Sequence, residues 1–371
     1  MIKKNIYYLL LLFFIVSCQN INHTQELRQK LQPTWQKLFK NNYSDDSQIT
    51  IYVATNRLRA NADFGCEDSK FSVDLDKQIN YGKCIIKVSR LHEIGDSSNL
   101  KSSNYKFINE QNSSQENFTI TSQLAIDQKN FIEEIAKIDS TPLIFIHGFN
   151  VRFNEAVIRS AQIAYDLKYQ GPIILYSWPA GAKDSFLDEA LLNKTYEQNA
   201  KNVNLSIPIF QNFIKDLYDH KIQVNLMVHS MGHQLVLPSL ENLAKNFNRK
   251  LIDQLFLNAP DFDANLFKQI LPNIKKISNQ ITLYCSYNDK AMTASKIFNK
   301  NQRLGACIEN KEIDVINVSA IDDSNFGLGH GYYSSKSILN DMFLTLIGID
   351  VRNRLFIAKQ QNNSENFILR K

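Results

Sequence analysis

From residue 143 onward, short apolar runs alternate with segments whose apolar residues have helical spacing. The apolar runs of strand length are Leu143–Ile146, Ile173–Tyr176, Val224–Val228, Gln254–Leu257, Ile281–Cys285 and Asp314–Val318. The helical patterns are Glu155–Lys168, roughly Glu189–Tyr218, Gln234–Asn246, Ala264–Ile270, Ala291–Lys300 and Tyr332–Leu346. Continuously apolar strands separated by helices are typical of a parallel sheet that is covered on both faces. The sequence therefore predicts an α/β fold with a mostly parallel, doubly wound sheet.

The segments upstream of residue 143 extend this domain. Strands are predicted at Ile49–Thr55, Cys84–Val88 and Phe118–Ile126, and a helix at Gln128–Ile138. The polar stretch over residues 96–117 indicates a loop or insertion. Because there is no internal repeat and no domain linker, we predict one α/β domain over residues 46–350. Residues 351–371 are predicted to form a polar C-terminal extension.

The first 18 residues have the layout of an export signal. Lys3 and Lys4 precede an apolar run of 11 residues, Ile6–Val16, which is short against the ~20 residues that span a bilayer as a helix. The stretch I-V-S-C at positions 15–18 resembles the lipobox of bacterial lipoproteins. That resemblance implies a signal peptide over residues 1–17 and a lipid on Cys18. The alternatives are an ordinary signal peptide with an incidental cysteine, and a signal anchor.

The lipobox resemblance also predicts a location. Residues 18–45 would form a lipidated tether with an N-terminal helix, so that the protein would be exported and anchored to a membrane of the cell envelope. Gln19, rather than an aspartate, follows the cysteine. This favours the outer membrane if the host is Gram-negative.

The charge balance does not fit a nucleic-acid-binding protein. Removal of residues 1–17 would take Lys3 and Lys4 from the 42 basic residues and leave 40 against 37 acidic ones, a net charge of +3. There is no dense stripe of lysine or arginine, so no nucleic-acid partner is expected. The sequence indicates no obligate protein partner either.

The cysteines after Cys18 permit disulfide bonds. They lie at positions 66, 84, 285 and 307, and an even number in an exported chain fits pairing. Pairing between sequence neighbours would join Cys66 to Cys84 and Cys285 to Cys307, whereas free buried thiols are the alternative. The absence of a C-x-x-C motif argues against a zinc site.

The stretch M-V-H-S-M-G-H at 227–233 places Ser230 between a predicted strand and a predicted helix. A sharp strand-to-helix turn of this kind raises a serine hydroxyl clear of the backbone, where it can act as a nucleophile. The N–H of Met231 would then face an oxyanion, and Gly232 would keep the new helix close to the sheet. However, a glycine is missing where Val228 stands, and a helix N-cap at Ser230 is the alternative.

A second strand end carries the residues I-F-I-H-G-F-N at 144–150. Gly148 allows the backbone to turn sharply and to approach a ligand. The N–H of Phe149 is our candidate for the second oxyanion donor, and a simple turn is the alternative. We expect His147 to have a structural role beneath this loop.

A nucleophilic serine needs a base, and the base needs an acid. His330 is the only histidine far enough after Ser230, and three glycines surround it within residues 325–331. Asp289 lies 59 residues after the serine and 41 before His330, in the order Ser, Asp, His that this fold class uses. Asp261 or Asp263 is the alternative acid, although a cap on the following helix is the competing role for either one.

Nine short motifs extend the pattern over residues 50–345. They are I-Y-V-A-T-N-R (51–57), Y-G-K-C-I-I-K-V-S (81–89), I-F-I-H-G-F-N (144–150), L-Y-S-W-P-A-G (175–181), V-H-S-M-G (228–232), N-A-P-D-F-D (258–263), S-Y-N-D-K-A (286–291), R-L-G (303–305) and G-H-G-Y-Y (329–333). With them the chain resembles a bacterial α/β-hydrolase family of unknown function that is described as esterase/lipase-like. The resemblance implies Ser230 as nucleophile, Asp289 as acid and His330 as base, with no metal and no organic cofactor. His233 stands where the family usually has asparagine.

The expected activity is that of a serine hydrolase acting on a small-molecule or lipid ester. A non-catalytic binding or envelope lipoprotein is one alternative. An amidase or a transacylase with the same triad is another, because triad chemistry does not separate these reactions.

Overall fold

The computed structural model describes residues 29, 31–32, 47–89, 92–95, 117–182, 189–321, 330–361 and 364–370. The predicted signal peptide, Cys18, most of the predicted tether and residues 96–116 lie outside this part of the chain. Residues 322–329 do so as well, and they include the glycines predicted before His330. Over the described residues, no helix combines the length and the apolar character needed to cross a membrane.

The described strands form one sheet. They are β1 (Ser47–Arg59), β2 (Phe71–Val88), β3 (Phe118–Ala125), β4 (Leu143–Ile146), β5 (Ile173–Ser177), β6 (Val224–His229), β7 (Ile252–Asn258), β8 (Ser278–Cys285), β9 (Asp314–Asn317), β10 (Ile357–Lys359) and β11 (Phe367–Leu369). Their order across the sheet is β10-β11-β9-β8-β7-β6-β4-β5-β1-β2-β3. Neighbours from β11 to β1 pair in parallel. The β1–β2, β2–β3 and β10–β11 pairs are antiparallel.

The helices connect these strands and cover both faces of the sheet. They are α1 (Gln128–Ala136), α2 (Phe153–Asp166), α3 (Glu189–Asp219), α4 (Gly232–Leu243), α5 (Ala264–Ile277), α6 (Lys290–Asn299) and α7 (Lys336–Leu346). In β4, Ile144 and Ile146 belong to a core with α1, α3, α4 and α5. Leu143 and Phe145 belong to a second core with α2 and α7. Burying each such side chain stabilises the fold by about 1.5–3 kcal/mol. Because successive β4 side chains point to opposite faces of the sheet, this burial stabilises the packing of helices on both faces.

The predicted fold class, an α/β-hydrolase fold with a mostly parallel, doubly wound sheet, is therefore confirmed. One part of the chain differs from the expectation. The segment predicted as a polar extension contributes β10 and β11 to the sheet, and β11 pairs with β9. These strands have three residues each, which is too short for an alternating pattern to stand out in a sequence.

Some helix and strand boundaries also differ. The last predicted helix begins at Lys336 rather than Tyr332, because residues 332–334 form a 3₁₀ turn and Ser335 is the N-cap. α5 continues through Pro272 to Ile277, since Leu271, Ile274 and Ile277 bury the same face. β2 starts at Phe71, 13 residues before the predicted strand.

The two disulfide bonds join the cysteines that are neighbours in the sequence. Cys66 pairs with Cys84, and Cys285 pairs with Cys307. The predicted pairing is confirmed, and the alternative of free buried thiols is wrong. The second bond fastens the end of β8, four residues before Asp289 in the sequence, to the segment after α6.

Candidate active site

Ser230 lies on a sharp turn between β6 and α4. β6 ends at His229 and α4 begins at Gly232, so the backbone reverses over two residues. Ser230 has a φ of 51°, in the left-handed region that residues other than glycine rarely adopt. The N-cap of α4 is Met231, and the Ser230 hydroxyl bonds to His330 instead. The alternative that Ser230 caps the helix is therefore wrong.

Hydrogen bonds around Ser230 offset the strain of this turn, which costs about 1–3 kcal/mol. The Ser230 carbonyl accepts from the backbone N–H of His233 at 3.1 Å and from that of Asp261 at 3.3 Å. It also accepts from Nδ1 of the His233 ring at 2.7 Å. The Ser230 N–H donates to Asn258 on β7 at 3.0 Å. Burial lowers the pKa of His233 to about 3, so this ring stays neutral and acts as a structural donor.

A relay of hydrogen bonds joins Ser230, His330 and Asp289. Nε2 of His330 lies 2.6 Å from the Ser230 Oγ, and Nδ1 lies 2.7 Å from the Asp289 Oδ2. The Asp289 side chain is fully buried, whereas the His330 side chain is 16% exposed. Because a carboxylate accepts only, Nδ1 carries the proton and leaves Nε2 free to accept one from the serine. The structure thus brings together the three side chains predicted as nucleophile, acid and base.

The orientation of Asp289 follows from its place at the start of α6. As N-cap, it accepts the N–H of Met292 on Oδ1 at 3.0 Å, which turns Oδ2 towards His330. The two alternative acids are engaged elsewhere. Asp263 caps α5 through Asn265 and Leu266, as the sequence allowed.

Asp261 is buried in a separate polar cluster beside the turn. Its Oδ1 accepts from Arg303 at 2.7 Å and from Ser295 at 2.5 Å. Its Oδ2 accepts from the Tyr196 hydroxyl at 2.9 Å and from Gln234 at 3.2 Å. The carboxylate is therefore fully committed to groups other than His330.

The loop after β4 passes directly beside Ser230. A Cβ added at Gly148 would lie 2.7 Å from the Ser230 Cβ and 2.9 Å from the His229 Nδ1, so only glycine fits there. Within the described residues, the backbone N–H groups of Phe149 and Met231 donate no hydrogen bond. They belong to the two segments that meet at the Ser230 hydroxyl, which suits them to bind an oxyanion.

Arg57, which was not predicted as a site residue, supports the loop after β4 through hydrogen bonds. The side chain is 1% exposed. Its Nη2 donates to the Val151 carbonyl at 2.8 Å, its Nη1 to that of Ala180 at 2.7 Å, and its Nε to the Ser177 hydroxyl at 2.9 Å. Burial lowers its pKa to about 9. Arg57 therefore fastens the segment after β4 to the segment after β5.

His147 completes this support, and its structural role agrees with the expectation. Its Nδ1–H donates to the Gly148 carbonyl at 3.1 Å, and its Nε2 accepts from the Ser177 hydroxyl at 2.9 Å. Its ring stacks on Trp178 with centroids 5.4 Å apart. Burial and the neighbouring Arg57 lower its pKa to about 3, so the ring is neutral at physiological pH.

Two other side chains near the relay were not predicted. Asn199 of α3 accepts the N–H of Asn150 at 3.2 Å and exchanges two hydrogen bonds with Gly181. His229 donates from Nε2 to the His330 carbonyl at 3.2 Å, and burial holds its pKa well below the usual range. These residues support the loops that carry Phe149 and His330.

A mostly parallel sheet whose central strand ends in a strand–turn–helix elbow is the architecture of the α/β hydrolases. The model of a family described as "Alpha/beta hydrolase of unknown function (DUF900)" matches residues 124–349. The chain belongs to this family, which indicates hydrolase activity. The first two of the nine motifs, at 51–57 and 81–89, lie outside the matched residues. No curated protein and no solved structure gives a significant match.

The described residues contain no cluster of three or more His, Cys, Asp or Glu side chains that could hold a metal ion.

Proposed function

We propose that the protein is a serine hydrolase that cleaves carboxylic esters through Ser230, Asp289 and His330. The observation that carries the proposal is the unbroken relay from the Ser230 Oγ to His330 and on to Asp289, at 2.6 and 2.7 Å. Each distance suits proton transfer without further movement. The buried acid and the partly exposed histidine fit an orienting group and a base in contact with substrate.

In the proposed mechanism, the Ser230 Oγ attacks the ester carbonyl while His330 Nε2 takes the hydroxyl proton. Asp289 keeps the His330 proton on Nδ1 and stabilises the imidazolium. The N–H groups of Phe149 and Met231 stabilise the oxyanion of the tetrahedral intermediate. His330 then protonates the leaving alcohol, and a water molecule activated by the same ring hydrolyses the acyl-enzyme.

A direct test uses the full chain purified in detergent. We expect a fluorophosphonate probe to label one serine, and p-nitrophenyl esters to be hydrolysed. A Ser230→Ala variant should lose both signals. A Ser239→Ala variant, which removes another serine hydroxyl on α4, is the matched control and should keep both. Ester turnover by the Ser230→Ala variant at the wild-type rate would contradict the proposal. Labelling without turnover of any ester, but with turnover of anilides, would favour an amidase.

A non-catalytic role makes a different prediction for cells. If the protein only binds a partner, a Ser230→Ala strain should behave like the wild type in every condition in which a deletion strain does not. If it acts as a hydrolase, the Ser230→Ala strain should reproduce the deletion phenotype.

We also propose that the protein is an exported lipoprotein, anchored through a lipid on Cys18. The support is the order of two lysines, an apolar run of 11 residues and the sequence I-V-S-C. A Cys18→Ala variant should fail to incorporate an alkyne-labelled fatty acid and should leave the membrane fraction. Incorporation that persists in this variant would refute the assignment.

A further inference from the structure

The helix that carries Asp289 at its N-cap exposes apolar side chains. On α6, Ile297 is 75% exposed and Phe298 is 39% exposed. Met292 and Ser295 are buried on the opposite face. With 3.6 residues per turn, Lys290, Ala294 and Ile297 lie along one ridge of the helix. The solvent-exposed Ile297 is the residue of this ridge that lies farthest from Asp289.

The charge on this helix has one sign. Lys290 and Lys296 are the charged residues of α6, Lys300 follows it as C-cap, and the sequence of the helix contains no acid. Among the described residues, none of these lysines pairs with a carboxylate. Asp289 itself is buried against His330 and Met292. Exposed apolar residues flanked by lysines are typical of helices that lie in the interface of an anionic bilayer.

A row of aromatic rings connects this helix to the loop beside Ser230. The rings of Phe149 and Tyr196 lie 5.6 Å apart, and those of Tyr196 and Phe298 lie 4.6 Å apart. Phe149 is the residue whose N–H we assign to the oxyanion. The row of packed rings therefore joins the exposed face of α6 to the residue that we assign to the oxyanion.

We propose that the exposed face of α6, formed by Lys290, Ala294, Lys296, Ile297, Phe298 and Lys300, docks on an anionic lipid surface. This orientation places the aromatic row next to the acyl chains of the bilayer. The substrate class that fits, on the basis of the proposed function, is a membrane lipid ester whose acyl chain lies along Phe298, Tyr196 and Phe149.

The docking can be tested without catalysis. A Ile297→Cys substitution in the full chain with Ser230→Ala is labelled with an environment-sensitive dye and reconstituted into nanodiscs. The nanodiscs contain phosphatidylcholine alone or with phosphatidylglycerol. The matched control is Leu124→Cys on β3, at the far end of the sheet and 55% exposed. Protein without either substitution, labelled in parallel, measures dye bound to Cys18.

We expect the dye at position 297 to shift to the blue in phosphatidylglycerol discs and to be quenched by spin-labelled lipids, while the dye at position 124 does neither. Because each lysine favours an anionic surface roughly fivefold, replacing Lys290, Lys296 and Lys300 by Gln should lower the quenched fraction roughly tenfold or more. Equal signals at both positions, or no dependence on phosphatidylglycerol, would overturn the proposal. A blue shift at position 297 that appears when the protein concentration is raised, whatever the lipid composition, would overturn the proposal in favour of a contact between protein molecules.

A second arm separates docking from chemistry. The ratio of turnover between a long-chain ester in anionic vesicles and a soluble acetate ester should fall in Ile297→Asp far more than in Leu124→Asp. If no ester is hydrolysed, the proposed function fails and the dye experiment still decides the docking. If esters are hydrolysed but both variants give the same ratio, the docking proposal is refuted and the proposed function stands.

Discussion

Gly148 offers a sharp test of the site because its replacement perturbs one loop in a calculable way. A Cβ at this position would lie 2.7 Å from the Ser230 Cβ, whereas ordinary contacts begin at 3.4 Å. Gly148 is not among the residues with positive φ. The substitution therefore acts through steric overlap, with the Ser230 Cβ at 2.7 Å and with the His229 Nδ1 at 2.9 Å. In Gly148→Ala the loop must retreat from Ser230 by about 0.7 Å.

The retreat sets the expected loss of activity. An oxyanion donor works at about 2.7–3.1 Å from the oxygen, so a shift of this size takes the N–H of Phe149 out of range. Losing one such donor lowers kcat by roughly 10²–10³-fold, equivalent to about 2.7–4 kcal/mol of transition-state stabilisation. The overlap should also lower the free energy of unfolding by about 1–3 kcal/mol.

The measurement is kcat for a p-nitrophenyl ester well below the melting temperature, with circular dichroism to verify folding. Gly331→Ala is the matched control, because a Cβ at Gly331 would meet none of the residues that the structure describes within 4 Å, although Gly331 adjoins His330. We expect the control to stay near wild-type activity. A Gly148→Ala enzyme that is folded and within threefold of the wild-type kcat would refute the assignment of this loop to the oxyanion.

Three further predictions concern the acid, the buried histidines and the second disulfide. Asp289→Asn should lower kcat by roughly 10³–10⁴-fold because His330 loses the partner that fixes its tautomer. Asp263→Asn should leave kcat near the wild-type value, because asparagine caps a helix about as well as aspartate; equal kcat values in the two variants would contradict this. The pKa values of His147 and His233 are lowered to about 3 from 6.5. The unfolded chain therefore binds more protons between these pH values, and stability must fall as the pH drops from 6.5 towards 3, by up to about 1.4 kcal/mol per pH unit and histidine. Urea unfolding at pH 7 and 5 should show this loss, and a smaller one in His233→Leu; an unchanged pH dependence in that variant would be inconsistent with the assignment. Cys285→Ser should lower the free energy of unfolding by roughly 3 kcal/mol by opening a 22-residue loop, and a melting temperature equal to that of the wild type would show that the bond contributes little.

The sequence predicted the central sheet well because its strands are buried on both faces. Runs such as Leu143–Ile146 and Val224–Val228 contain no exposed position, and helices of ordinary length separate them. The strands at the two ends of the sheet were harder to predict. β2 carries many partly exposed polar residues before Cys84. β11 has only three residues, too few for an alternating pattern to stand out, although Leu369 is buried in the core and Phe367 packs against it.

For the candidate site, the order of Ser230, Asp289 and His330 was readable because each follows a predicted strand. The supporting residues were not, since their roles come from contacts between distant segments. Arg57 contacts Val151 and Ala180 across separations of about 94 and 123 residues. One signal was available: Arg57 follows an apolar run that pairs in parallel with β5, and polar residues at such strand ends tend to be functional.

The pairing of β11 with β9 has a practical consequence for how the chain is cut. The family match ends at residue 349, and a chain truncated there would lack β10 and β11. β9 would then become an edge strand with a free row of N–H and C=O groups, which invites pairing with other molecules. Because the chain runs from β9 towards His330, fraying at that new edge would also reach the proposed base. If a chain truncated at residue 349 aggregates and is inactive, the loss of β10 and β11 therefore explains the result. Such a result would not be evidence against hydrolase activity of the full chain.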